Sequence, residues 1–421
     1  MNYRTGREFA LEQDTIDPLA SYRNKFHFPK SMNGKEVVYF GGNSLGLQTK
    51  NVKAYVGQEL EDWGTFAVEG HFSAKNPWLN YHEPFASSFA RLVGAGEAEV
   101  VCMNTLTVNL HLMMVSFYRP SPRRHKILIE YGAFPSDRYA VQSQTKFHNF
   151  NPKKSVLEFK PTPGSKIVDM NEVEHFMQQH GNSIALIWIG GINYYSGQKY
   201  DMQKITQLGH ENGCLVGFDL AHAIGNVELE LHKWDVDFAV WCTYKYLNGG
   251  PGSIAGCFVH EKHGMQTDIP RFAGWWGHNK ETRFQMGPDF DPIAGAEGWQ
   301  LSNPPILSMA PLRASLEIFD EVSLKSLREK SIKLTGYLEY LIDQLNSEQI
   351  NIITPRNPDE RGCQLSLQTK GNGRQIFDDL VKDGVVCDWR EPDVIRVAPV
   401  PLYNSFWDVY RFVQILKNSL H

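Results

Sequence analysis

Short apolar runs of strand length alternate with amphipathic stretches through the middle of the chain. Val37 to Phe40 reads as a strand, Val52 to Trp63 as a helix, and Val100-Val101 as the end of a second strand. The helix predicted over Val108 to Tyr118 gathers its apolar positions on one face. Lys126 to Glu130, Ile184 to Ile189, Cys214 to Phe218 and Val236 to Trp241 are compact β-rich runs, apolar on both sides, as strands of a parallel sheet covered by helices must be. Asp201 to Glu211 reads as a helix stopped by Gly213, and GGPGSIAGCFVH after Lys245 reads as a glycine-rich turn and a strand. Trp63 to Trp78, rich in Gly, His and aromatic residues without a period, reads as a loop. Strand and helix alternate from about residue 100 to 245, which predicts a doubly wound α/β domain.

The pattern changes after Pro305. Ile306 to Phe319 and Leu324 to Leu345 are amphipathic helices, the second long enough to bridge two domains. Asn351 to Thr354, Gln364 to Gln368 with clean alternation, Val385 to Trp389 and Val394 to Val397 read as strands. Arg374 to Lys382 and Ser405 to Leu420 read as helices. The expected division is an arm over residues 1–50 packed on the small domain, a large α/β domain over 51–305, and a small α+β domain over 306–421.

Composition narrows the partners more than the fold. The 42 basic and 47 acidic residues are interspersed, for a net charge of −5, and no basic block offers a nucleic-acid footprint. No apolar stretch approaches the ~20 residues of a membrane span, and the N-terminus lacks the apolar segment of a secretory signal. The six cysteines, Cys102, Cys214, Cys242, Cys257, Cys363 and Cys387, form no CxxC pair and lie in or beside apolar runs, as small buried hydrophobes do. A cytoplasmic, reduced enzyme is expected.

The chemistry concentrates between Gly217 and Gly256. Asp219 emerges at the end of one apolar run, His222 follows it, and Tyr244 and Lys245 lie just past the next run. Most lysines are solvated surface groups. In an open α/β sheet, however, the ligand crevice lies outside the carboxyl ends of the strands, so this acid and this amine face one ligand. Pyridoxal 5'-phosphate requires an amine for its imine and an acid to keep its ring nitrogen protonated, and the pair supplies both. Gly41-Gly42-Asn43-Ser44-Leu45-Gly46 lacks the GK[ST] ending of a phosphate loop and reads as a turn. No GxGxxG follows the first strand, which argues against a nicotinamide oxidoreductase. Thr105 and Asn104 suit a helix N-cap, and the same helix start suits a phosphate. Phe134 before Pro135 either shapes a turn or stacks on a flat ring. Arg396, in an apolar strand, needs an anionic partner, which an internal ion pair or a bound carboxylate would provide. Ser302-Asn303-Pro304-Pro305 alone reads as a turn.

FDLAHA and WCTYKYLNGGPG, with FGGNSLG, EGH…NPW, FPSD, SNPP and RVAPVPLYN, resemble the kynureninase family over nearly the whole chain. FDLAH and a strand-end lysine belong to a wider superfamily, and the TYKYLN context narrows it. The resemblance implies a fold-type-I, pyridoxal-phosphate-dependent α/β enzyme, with a mostly parallel doubly wound large domain and a smaller α+β C-terminal domain. It implies that Leu106 and Thr107 take the phosphate, that Phe134 stacks on the ring, and that Pro135, Ser136, Asp137, His222, Tyr244, Trp275 and Asn303 complete the cofactor site with Asp219 and Lys245. Ser44, His71, Ser302, Asn303 and Arg396 would meet the substrate, His71 and Asn303 at its aromatic end and Arg396 at its carboxylate. The implied reaction is hydrolytic Cβ–Cγ cleavage of L-kynurenine or 3-hydroxy-L-kynurenine to an anthranilate and L-alanine, with Lys245 as base at the α-carbon and Tyr244 either as proton carrier at the hydrated carbonyl or as a phosphate contact. The pairing of His71 with Ser302-Asn303 favours the 3-hydroxylated substrate. The family's setting is tryptophan catabolism and NAD biosynthesis, in a homodimer with the active site at the interface. A cysteine desulfurase or aminotransferase of the same fold, or a non-catalytic pyridoxal-phosphate protein, are the alternatives; a desulfurase needs a nucleophilic cysteine in a mobile loop.

Overall fold

The computed structural model describes residues 2–31 and 33–420. After a two-residue strand β1 (Val38–Tyr39), seven strands build the main sheet: β2 (Val100–Cys102), β3 (Lys126–Glu130), β4 (Val156–Phe159), β5 (Ile184–Gly190), β6 (Leu215–Asp219), β7 (Phe238–Trp241) and β8 (Gly256–Val259). Their order is β2-β8-β7-β6-β5-β3-β4; β3 to β7 run parallel, and β8 is antiparallel to both its neighbours. Alternate residues of each strand enter different cores. Leu128, Ile187, Ile189, Phe218 and Trp241 pack on one face with helices Phe85–Val93, Met202–Glu211 and Ile306–Glu321. Ile127, Ile129, Trp188, Phe238 and Val240 pack on the other with Leu106–Phe117 and Pro135–Phe147. Helices on both faces explain why these strands read as unbroken apolar runs. From β3 the chain passes outward to β4, then crosses back to β5 on β3's other side, so a topological switch point opens between β3 and β5.

A second, four-stranded antiparallel sheet has the order β12-β13-β10-β9, with β9 (Ile350–Ile352), β10 (Leu365–Thr369), β12 (Asp388–Arg390) and β13 (Val394–Val397). Its core takes Leu334, Tyr337, Leu338 and Leu341 from helix Leu324–Asp343, Val409, Phe412 and Leu416 from helix Phe406–Ser419, and Phe9, Val38 and Phe40 from the N-terminal segment. Strand β1 adds to a separate ladder, parallel to β11 (Val385–Val386).

Some expectations change. The strand read over 385–389 is two: β11 turns to meet β1 and β12 joins the larger sheet. The segment Trp63 to Trp78 is mostly helical, since helix Val52–Phe66 runs on through the turn Ala67–Glu69 and the helical turn Gly70–Ser73. Strand β4 and helices Pro135–Phe147 and Met170–His180 escaped periodicity, because β4 is an edge strand with three of its four residues only half-buried and the helices bury few side chains. The alternation in 364–368 is not an inside-outside pattern. Its polar members Gln364 and Ser366 are buried against the larger body, Ser366 Oγ donating to Tyr195 O (2.6 Å) and Gln364 Nε2 to Tyr194 O (3.1 Å). Helix Ile306–Glu321 packs along Val52–Phe66, with Leu312, Leu316 and Phe319 in the core of the main sheet. Among the described residues, no helix is long and apolar enough to cross a membrane.

Candidate active site

The strand order carries several polar side chains to the switch point. Glu130 ends β3, Gly190 ends β5, Asp219 ends β6 and Lys245 lies just past β7; together with Phe134, Asp137, Ile192, Tyr194, Ala221 and His222 they line one cleft. Lys245 Nζ lies 3.0 Å from His222 Nε2. Burial holds the His222 imidazole well below its ordinary pKa, helped by the charges of Lys245, Arg396 and Arg390, so the ring is neutral and its Nε2 accepts from the lysine. His222 Nδ1 is buried without a partner among the described residues. The loop carrying Lys245 is held from below: Gly46 N–H donates to Tyr244 O (2.8 Å), and a side chain at Gly46 would overlap Lys245 O and Asn248.

Three carboxyls share the floor. Asp219 Oδ1 accepts the Ala221 N–H (2.7 Å), and burial raises its pKa against the opposing charge of Lys245. Asp137 accepts from Trp188 Nε1 (3.0 Å); burial, then Asp219 and Glu130, push it well above the carboxylate range. Glu130, pushed up to about 7 chiefly by burial, accepts from the Gly190 N–H, at 3.3 and 3.4 Å. Burial thus raises all three carboxyls, and a cation bound beside them would favour their charged forms. Glu130 was not singled out from sequence; the one available signal was an acid closing the run KILIE at the same sheet edge as Asp219.

The other expected residues form satellites. Leu106 and Thr107 open helix Leu106–Phe117, Pro135, Ser136 and Asp137 open helix Pro135–Phe147, and Thr107 Oγ1 lies 2.8 Å from Ser136 Oγ, so two helix N-termini and two hydroxyls converge. Neither Thr105 nor Asn104 caps the first helix through its side chain; Asn104 instead donates to Asn109 Oδ1 (2.9 Å). Phe134 meets Tyr194 edge to face (5.2 Å, 80°) and stays 43% exposed, which leaves ring surface free. Tyr244 is half-buried, its hydroxyl held protonated by burial and by Cys242, and its ring centre lies 5.8 Å from Lys245 Nζ.

Arg396 is fully buried and already paired. Its Nε and Nη2 donate to Asp388 (2.6 Å each), Nη1 to Tyr194 O (2.7 Å) and Nη2 to Ser44 Oγ (3.2 Å), and Ser44 in turn donates to Asp388. The internal ion pair is thus present, and Ser44 belongs to it. His71, Trp275, Ser302 and Asn303 stand outside the Lys245 cleft within one chain. His71 packs on Trp78 (5.5 Å) and contacts Val68 O through Nδ1 (2.9 Å); Trp275 donates to Arg283 O (3.1 Å) and stays 42% exposed; Ser302 and Asn303 line a separate cleft with Cys102, Met103 and Asn104. Two further clusters of ligand-type side chains, Glu99 with His232 and His260 and His82 with Glu83 and Glu297, include no residue of this cleft. Glu99 already accepts from Gly96 and Glu261 N–H, and Lys280 bridges Glu83 and Glu297.

Solved structures share this architecture at low identity. The cysteine desulfurase CsdA from Escherichia coli superposes with a TM-score of 0.76 at 14% identity, over 96% of this chain and 99% of its own. C-DES, described with glycine covalently linked to its PLP cofactor, superposes at 0.74 and 14% over 90% of this chain and 96% of its own. The family described as the kynureninase C-terminal domain matches residues 327–416. The kynureninase of Myxococcus xanthus (strain DK1622) is 54% identical over 415 residues, 99% of this chain and 97% of its own. That of Koribacter versatilis (strain Ellin345) is 58% identical over 419 residues, 100% of this chain and 99% of its own. With that identity from end to end, on the fold its sequence predicts, the chain belongs to the kynureninase family.

Proposed function

We propose that the protein is a pyridoxal-phosphate-dependent kynureninase that hydrolyses the Cβ–Cγ bond of L-kynurenine or 3-hydroxy-L-kynurenine, releasing L-alanine and the anthranilate. The observation that carries this reading is the Lys245–His222 contact beside Asp219, at the switch point of a sheet in a chain of this family. The residues fit the cofactor. An amine, a buried acid, an unpartnered buried His222 Nδ1, an open Phe134 face and two helix N-termini with paired hydroxyls match its aldehyde, ring nitrogen, ring substituents, ring plane and phosphate. When bound, pyridoxal phosphate supplies a protonated ring that takes up electrons released at the substrate's α-carbon.

The chain's own residues do the rest. Lys245 takes the proton from Cα, and neutral His222 fixes its amine. Asp219 keeps a ring cation charged, with Asp137 and Glu130 behind it. Leu106, Thr107 and Ser136 would hold the phosphate, and Trp275, outside this cleft within one chain, would reach it across a dimer interface. Arg396, held by Asp388, orients the substrate carboxylate with Ser44 at its side. Tyr244, whose hydroxyl keeps its proton, moves that proton at the hydrated carbonyl. His71, Ser302 and Asn303 meet the aromatic ring and favour its 3-hydroxylated form. Their distance from the cleft within one chain, and the exposure of Trp63, Phe72 and Trp275, support a homodimer in which the partner subunit completes each site. We divide the chain into the arm 1–50, the large domain 51–305 and the small domain 306–421, whose first helix, Ile306–Glu321, packs back into the core of the main sheet, and place the enzyme in cytoplasmic tryptophan catabolism.

Against a desulfurase role, the six cysteines lie in strands or within two residues of one; five are buried and Cys387 is half-buried. An absorbance band near the visible edge in the purified protein, lost in Lys245→Ala, tests the cofactor bond, and its absence in the wild type refutes the reading. Turnover of both substrates tests the preference: a kcat/KM for 3-hydroxykynurenine no higher than for kynurenine overturns it.

A further inference from the structure

Tyr194 lines two cavities. One is the Lys245 cleft; the other, of about 480 Å³, opens past the carboxyl ends of β3 and β4 and is lined by Tyr131, Lys160, Lys166, Tyr194, Tyr195 and Tyr200 among others. Tyr131 directly follows β3 and Lys160 directly follows β4, so this cavity continues the crevice in which open α/β sheets bind ligands. Its size is that of a small-molecule site.

The chemistry of its walls is specific. Four tyrosines provide flat apolar area with polar tips. Tyr195 spends its hydroxyl on Asp393 (2.9 Å), whereas the Tyr131 and Tyr194 hydroxyls have no partner within the described residues. Among the described residues neither Lys160 nor Lys166 has a carboxylate within ion-pair distance, and Lys160 Nζ rests 5.8 Å from the Tyr131 ring centre. The one acid on the rim, Glu391, accepts from Trp389 Nε1 (2.9 Å). The loop bearing both lysines is pinned at its far end, where Val168 and the Gln198 side chain exchange two hydrogen bonds (2.9 and 2.7 Å). Aromatic walls with two unpaired cations on one side call for a planar ring bearing one anionic group.

We propose that this cavity is a second small-molecule site, for a planar aromatic carboxylate of the benzoate type, with the ring against the tyrosines and the carboxylate toward Lys160 and Lys166. Its occupancy reaches the first site through Tyr194, whose ring meets Phe134 (5.2 Å) and whose carbonyl accepts from Arg396 (2.7 Å). An aromatic carboxylate is also the product class of the reaction proposed above; the inhibitory sense rests on that reading, whereas the binding does not.

The test is calorimetric titration of the purified, cofactor-loaded protein with benzoate and with 2-aminobenzoate, alongside steady-state inhibition. The expected result is two sites per chain and mixed inhibition in the wild type. In the K160A/K166A double variant one site should weaken by about tenfold, the loss expected for charge-assisted hydrogen bonds, inhibition should become competitive, and kcat and KM without inhibitor should stay as they were. One site per chain with competitive inhibition in the wild type, or unchanged binding in the double variant, would overturn the proposal. A protein with no kynurenine turnover that still binds benzoate at a Lys160-dependent site would refute the reaction and keep the site.

Discussion

Replacing Glu130 by Gln tests the proton-holding floor most directly. Burial lifts the Glu130 carboxyl from 4.5 to about 7 in the folded, cofactor-free protein. Because the folded pKa is raised, the stability from keeping it protonated is fully present below about pH 4.5 and is lost as pH rises through about 7. The shift, converted at about 1.4 kcal/mol per pH unit, amounts to about 3 kcal/mol across that window. Glutamine keeps a carbonyl for the Gly190 N–H and cannot ionise, so the variant should come within about 1 kcal/mol of the wild type near pH 5 and be the more stable by up to about 3 kcal/mol near pH 8. For 421 residues this is a Tm difference of about 3 °C. Thermal unfolding of the two cofactor-free proteins from pH 5 to 8.5, followed by circular dichroism, reads it. Parallel Tm profiles, or a wild type more stable than the variant at pH 8, would refute the reasoning.

Three other substitutions probe the supports of the site. Asp388→Asn leaves the buried Arg396 guanidinium without its counter-charge and should lower stability by about 3–5 kcal/mol in thermal melts. Gly46→Ala forces a methyl into Lys245 O and Asn248 and should cost about 1–3 kcal/mol while shifting the absorbance of the lysine-bound cofactor, whereas a change in Tm with an unaltered spectrum would show that the loop does not transmit the strain. Trp188→Phe retains the stack on Phe238 (5.6 Å, 8°) but leaves Asp137 Oδ1 without its donor. The expected loss is about 1–3 kcal/mol, larger above neutral pH, where Asp137 is closer to ionising, and denaturant melts at pH 6 and 8 would measure it.

What could be read from the sequence follows from how each residue is positioned. Asp219 and Lys245 close apolar runs, so strand prediction alone carried them to one edge. The mostly parallel sheet follows from runs apolar on both faces, whereas the switch point rests on the strand order that only the fold shows. Glu130 closes such a run too, but a strand-end acid ordinarily turns to solvent, and only the fold turns this one inward. The Asp388–Arg396 pair depends on the register of β12 against β13, in which those two residues face one another. No spacing rule announces that register. Tyr194 was invisible for a similar reason: it follows β5 in a loop whose course is set by the small sheet. The helical continuation through His71 was missed because glycines and aromatics masked its period.

That loop has a mechanical consequence. Residues 194–196 are fastened to the small sheet, with Arg396 and Gln364 donating to Tyr194 O, Ser366 to Tyr195 O and Thr354 to Ser196 O. Gly191, by contrast, is fastened to the large sheet, its N–H donating to Asp219 O (2.8 Å). Only Ile192 and Asn193 lie between the two anchorages. A hinge so short permits little free play, so any rotation of the small body is geared to the ring of Tyr194 and, through its edge contact, to Phe134. Motion that opens or narrows the entrance therefore cannot leave the aromatic wall where it was.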